Sequence, residues 1–252
     1  MASEHSLFKA SPRGTVFNRD ASRLNRLVRV ATAMTLVLGV SVLVQLLLPY
    51  QDYFPANLKD SVFLSAHRSH FHGWYSIAFY VHIVAGPIAL VQGAALFFSG
   101  SKRKPTPRWH RVIGRVQAVV VLLFLFPSGL VMAQHAMAGP SAEVAFTLLS
   151  LATAITMALA IRSAMSGRIR QHRLWATRCF LLLCSPLMLR VVVGFTILTG
   201  TETDFAHRLL AWASWLVPWF LFEVGRKCHD AASMSRNTTR TTPATASIPI
   251  SV

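Results

Sequence analysis

Apolar residues along this chain gather into six blocks separated by polar stretches: residues 27–48, 76–98, 112–133, 144–165, 176–198 and 208–225. Each runs for about 18 to 23 residues, which at helical rise is enough to cross a hydrocarbon layer of roughly 30 Å. Backbone polar groups in that layer must be satisfied within the segment, and a helix does so. The pattern therefore predicts an all-α, polytopic membrane helical bundle of six transmembrane helices. The connections near 134–142 and 199–207 are short, so consecutive helices are expected as antiparallel neighbours. The longest connection, 50–75, carries Tyr53, Phe54, Phe63, Phe71 and Trp74, the aromatic content of a segment lying at the membrane interface.

A formal net charge of +16 would point to nucleic acid in a soluble chain, but the positions of the 25 Lys and Arg residues give it another cause. All but four lie in the N-terminal arm, the connections between blocks two and three and between blocks four and five, and the C-terminal tail. Lys59, Arg68 and Arg208 fall on the opposite side, and Arg190 lies within block five. This bias is what the positive-inside rule predicts when both termini are cytoplasmic, so the charge reports topology and no nucleic-acid partner is called for.

The expected organisation is a basic cytoplasmic arm over residues 1–26, a six-helix transmembrane domain over 27–226 and a disordered cytoplasmic tail over 227–252, whose Ser, Thr and Pro residues cannot bury a core. Block one is longer than a signal-peptide core and ends without a small-residue cleavage site, so it is expected to be retained. Cys179 and Cys184 lie in block five and Cys228 in the tail, which offers no disulfide framework.

Pro87, Pro127, Pro186 and Pro218 place one proline in each of blocks two, three, five and six. Neighbouring helices can satisfy the backbone groups a proline frees, so these four are expected to form a central cluster with block one outside it. Block four has no proline but carries a stripe of Ser150, Ala154 and Ala158 suited to close packing. A weak repeat joins the hairpins of blocks two and three and of four and five: His110-Arg111 in one, His172-Arg173 in the other.

At about 100° per residue, His110, Gly114, Gln117, Phe124, Ser128 and His135 share one face of helix three, and His172, Cys179, Pro186 and Arg190 one face of helix five. His82, Gly86 and Gly93 share a face of helix two. His82 and Arg190 fall roughly 10 Å and roughly 14 Å from the outer ends of their helices, at about 1.5 Å per residue. An ionisable side chain at that depth is costly and points to an interior functional site, or to a structural polar bond between helices. His110 and His172 sit at headgroup level. There they anchor helices or meet lipid phosphates, or they act as trans-axial metal ligands to a b-type haem whose propionates meet Arg111 and Arg173.

A further group, His67, His70, His72, His135, Glu202, Asp204 and His207, gathers at the outer turns without a standard zinc spacing and is expected to be solvated loop. No phosphate loop, nucleophile elbow or His-Glu-x-x-His run is present. Glu223 is expected to pair with Arg226 or with an arginine of the hairpins.

In order, His82 with Gly86-Pro87 and Gln92-Gly93, His110-Arg111 with Gly114-Arg115, Ser128-Gly129, His172-Arg173 with Trp175 and Arg178, and Leu189-Arg190 resemble an uncharacterised family of predicted bacterial membrane proteins. The resemblance covers roughly 76–194 and implies the bacterial inner membrane but no activity. A more remote likeness is to cytochrome b561-type electron carriers, although His82 has no partner at its own depth. Three functions follow. The first is a small membrane redox protein binding haem b or a quinone on His82, His110, His172, Arg111, Arg173 and Arg190. The second is a non-redox transporter or a protein binding a small anionic ligand or lipid. The third is an accessory membrane protein that only organises partners; in every reading the lipid bilayer is a partner.

Overall fold

The computed structural model describes residues 47–99, 108–201 and 203–241, with parts of the stretch between 26 and 45. The basic arm thus falls outside the described residues apart from Arg26, and block one is described in part, with helix at most of its described positions. The chain divides into two compact units, Met1–Pro49 and Tyr50–Val252. The second unit is all α-helical among its described residues.

Two short helices, α1 (Tyr50–Tyr53) and α2 (Val62–Ala66), precede five long ones. These are α3 (Gly73–Ser99), α4 (Arg108–Ala133), α5 (Pro140–Met165), α6 (Ile169–Leu198) and α7 (Asp204–Thr241). Helices α3 to α6 match blocks two to five, and they are the four long and apolar enough to cross a membrane. Between 17% and 28% of the most apolar window of each is buried, so the remaining apolar faces are available to lipid. Block six is helical within α7 but is diluted by Trp212, Trp215, Pro218 and Trp219 and is not among the four. Helix α7 also runs past the end of its apolar block to Thr241, so residues 227–241, expected as disordered tail, are helical. Arg226 supports that extension, bonding Glu223 at 3.1 Å and Asp230 at 3.1 Å one turn to either side.

The helix ends follow local chemistry. Helix α5 begins at Pro140, which fits a first turn where its missing N–H is not needed. It ends at Gly167, whose φ of +69° lets the Gly167 and Arg168 N–H groups bond back to Ala164 and Ser163. Helix α6 breaks at Cys184, one residue before a turn that carries Pro186, giving a first part (Ile169–Leu183) and a second part (Ser185–Leu198). The Thr203 hydroxyl caps α7 by accepting the Ala206 N–H.

Packing places α5 in the middle: it contacts α4, the first part of α6, and α7. The expectation from prolines, a centre made of blocks two, three, five and six, is corrected accordingly. Helix α5 achieves its close contacts with small and hydroxyl residues, since Ala145, Thr153, Thr156, Ala160 and Ser163 are buried. The hydroxyls of Thr153, Thr156 and Ser163 bond carbonyls four residues back, which removes their polar cost. Its buried face is offset from the Ser150, Ala154, Ala158 stripe. A core of Ala89, Val121, Met157, Cys179 and Leu183 joins α3, α4, α5 and α6.

Helix α4 carries a π-helical segment, Val120–Leu125, directly before Pro127. Proline lacks the N–H of a regular turn and its ring crowds the carbonyl four residues back. The wider turn accommodates this, with Phe126 N–H bonding Val121 five residues back.

Candidate functional site

Three histidines of the membrane-length helices are held through Nδ1 by oxygen atoms. On α4 the Ser128 hydroxyl lies 2.6 Å from the Phe124 carbonyl and 3.1 Å from that of Leu125, the groups loosened by the π segment. Its single proton is directed there, so its oxygen accepts from His82 Nδ1 on α3 at 3.2 Å. With Nδ1 donating, the neutral form of His82 carries its lone pair on Nε2. Gly129 makes room for it: a Cβ at that position would lie 3.4 Å from His82 Cε1 and 2.9 Å from the Ser150 hydroxyl oxygen of α5.

The same logic operates at the arginine-rich end of the bundle. Ser99 donates to the Leu96 carbonyl at 3.0 Å and so accepts from His110 Nδ1 at 3.1 Å. His172 Nδ1 donates to the Ala160 carbonyl of α5 at 2.9 Å. With Nδ1 donating, the neutral form of each ring carries its lone pair on Nε2. The starts of α4 and α6 have little direct contact, with α3 and α5 packed on both. About two turns further in, the layer is closed by Gln117 and Phe180 against Gly93, and Phe97 stacks on Phe180 at 5.1 Å. Gln117 donates to the Ala89 carbonyl at 2.9 Å, while its own buried carbonyl has no partner among the described residues. Arg111 and Arg173 are exposed beside the two histidines and form no ion pair among the described residues.

Arg178 is spoken for: it meets Glu223 of α7 at 2.7 Å and stacks over Trp175 at 4.3 Å. Glu223 also meets Arg226, so both expected partners are present. Arg190 lies exposed on the second part of α6, which packs on α7. Its charge acts on Tyr50 and Tyr53, whose phenols are pushed up by burial, Tyr50 to about 12, with Arg190 opposing. No hydrogen bond joins Arg190 to His82 among the described residues; His82 bonds Ser128, while Tyr50, on which Arg190 acts, bonds the Ile83 carbonyl.

At the other end of the bundle, both ring nitrogens of His67 are engaged, at 2.9 Å from the Phe63 carbonyl and 2.9 Å from the His135 carbonyl. His70 stacks on His135 at 4.5 Å. No group of three or more metal-ligating side chains exists among the described residues, which exclude Glu202. Sequence reasoning missed Ser99 and the Ala160 carbonyl, and placed Ser150 in a packing stripe without its contact to Gly129. Ser99 lies at the extreme end of its apolar block, and a backbone carbonyl leaves no signal in residue type.

An all-helical bundle with apolar spanning helices and histidines bonded inside it defines a multi-pass membrane protein. The family model described as predicted membrane protein (DUF2306) matches residues 79–224, and the chain belongs to that family. The match includes His82, His110 and His172. No curated protein and no solved structure matches the chain, so the likeness to cytochrome b561 has no support from these comparisons.

Proposed function

We propose that this chain is a small redox protein of the cell membrane, the bacterial inner membrane for this family, that binds a b-type haem between His110 and His172. In this reading six helices span the bilayer, both termini are cytoplasmic, and the arginine-rich end faces the cytoplasm. The observation that carries it is the shared state of the two rings: each is fixed through Nδ1 to an oxygen and offers Nε2, the arrangement that orients metal-ligating imidazoles.

The residues present fit the group. His110 and His172 would hold the iron through Nε2, the exposed guanidinium groups of Arg111 and Arg173 would meet the propionates, and Phe97 and Phe180 would provide an apolar floor. A haem so held would carry single electrons, while the protein fixes ring orientation and excludes water from below. His82 would serve as a separate proton-accepting site deeper in the bundle. The unpartnered Gln117 carbonyl favours a second reading, a quinol whose hydroxyl completes that bond.

The test is absorption of the full-length protein purified after expression with haem supplied. The expected result is a Soret band that is mostly lost in His110→Ala and in His172→Ala. No Soret band in the wild type removes the haem reading. Quinone in the extracted lipids, depleted by Gln117→Leu, would then support the second.

A further inference from the structure

Helices α4 and α5 leave between them a groove of about 430 Å³, open on its outer side and lined by Leu122, Ala158, Ile161, Arg162, Met165 and Ser166. Its wall is almost wholly apolar, and its polar members stand together in the last turn and cap of α5. Leu122 belongs to the π-helical segment, whose wider turn alters which residues of α4 face α5. The exposed Ala158, a member of the small-residue stripe, deepens the groove.

We infer that this groove holds one acyl chain of an anionic phospholipid, with its phosphate on Arg162. Charge complementarity selects that occupant. Arg162 forms no ion pair among the described residues, and Arg168 and Arg170 are exposed within the next turns. No acidic residue lies between Glu143 and Glu202 in sequence, and the acids of α7 at this end are engaged, Glu223 with Arg178 and Arg226 and Asp230 with Arg226. A phosphate would accept from the guanidinium and from the Ser166 hydroxyl, while the acyl chain covers Ile161, Ala158 and Leu122. The site is separate from the His110 and His172 layer and does not depend on a haem there.

The experiment reconstitutes the full-length protein in phosphatidylcholine vesicles containing a minor share of phosphatidylglycerol. Lipids retained after detergent extraction are then counted by native mass spectrometry. The wild type is expected to retain phosphatidylglycerol in preference to phosphatidylcholine, and Arg162→Gln to reduce that enrichment by about fivefold, the effect of one basic residue near an anionic surface. Ile161→Trp, which fills the groove and keeps the charge, is expected to lower retention of both lipids. Inorganic phosphate is expected not to displace the lipid, since it lacks the acyl chain. Equal enrichment in Arg162→Gln, retention unaffected by Ile161→Trp, or displacement by inorganic phosphate would overturn the proposal. Arg162→Lys serves as the milder variant: retained enrichment supports the charge contact, and its loss in a protein with unchanged helical circular dichroism contradicts it.

Discussion

His82, His110 and His172 each commit Nδ1 to an oxygen, and at His82 small neighbouring residues make room for the ring. Gly129 is the tightest of them. A methyl group there meets the Ser150 hydroxyl oxygen at 2.9 Å and the His82 ring at 3.4 Å, so a neighbour must move. Gly129→Ala is expected to destabilise the protein by about 1–3 kcal/mol through overpacking. A lowered thermal midpoint in detergent checks this, with Gly129→Ala combined with Ser150→Ala recovering part of the loss. His82, Ser128 and Gly129 were legible in the sequence because a histidine on an apolar helix and a Ser-Gly pair stand out by type. Ser150 was visible only as one member of a small-residue stripe, since its contact depends on the rotation of α5 against α4. His82 and Arg190 share a calculated depth, but depth along two helices says nothing of which neighbour each faces.

At the scale of elements, Pro127, the π segment before it and Ser128 act together: the proline opens the backbone, and the serine takes up the freed carbonyls while accepting from His82. Sequence reveals the proline but not the wider turn that answers it. The central position of α5 was likewise hidden, because its buried face is made of alanines and hydroxyl residues that satisfy their own backbone. The first part of α6 is tied to α7 by Arg178 and Glu223, with side chains 13% and 21% exposed. A double-mutant cycle of Arg178→Met and Glu223→Gln is expected to give a coupling of about 1–3 kcal/mol, as for contacting residues of one network. Additive losses would show that the pair does not hold α7. That pairing was legible because Glu223 is an isolated acid among arginines at one end of the bundle.

For the whole molecule, hydropathy made the helical membrane class plain, since blocks two to five coincide with the four membrane-length helices. Block six was less clear from composition alone, because tryptophan and proline lower its apolar character without breaking the helix. The site was legible as residue types at a shared level, whereas the hydrogen bonds that fix the rings needed the fold. Those bonds bring the account to a single claim, that His110 and His172 together complete one metal centre. Electron paramagnetic resonance of the oxidised, haem-supplied protein tests it most directly. The account predicts a low-spin ferric signal, as two imidazole ligands produce, that turns high-spin or disappears in His110→Ala and in His172→Ala and is unchanged in His229→Ala. A wild-type signal that is high-spin, absent, or indifferent to both substitutions would contradict it.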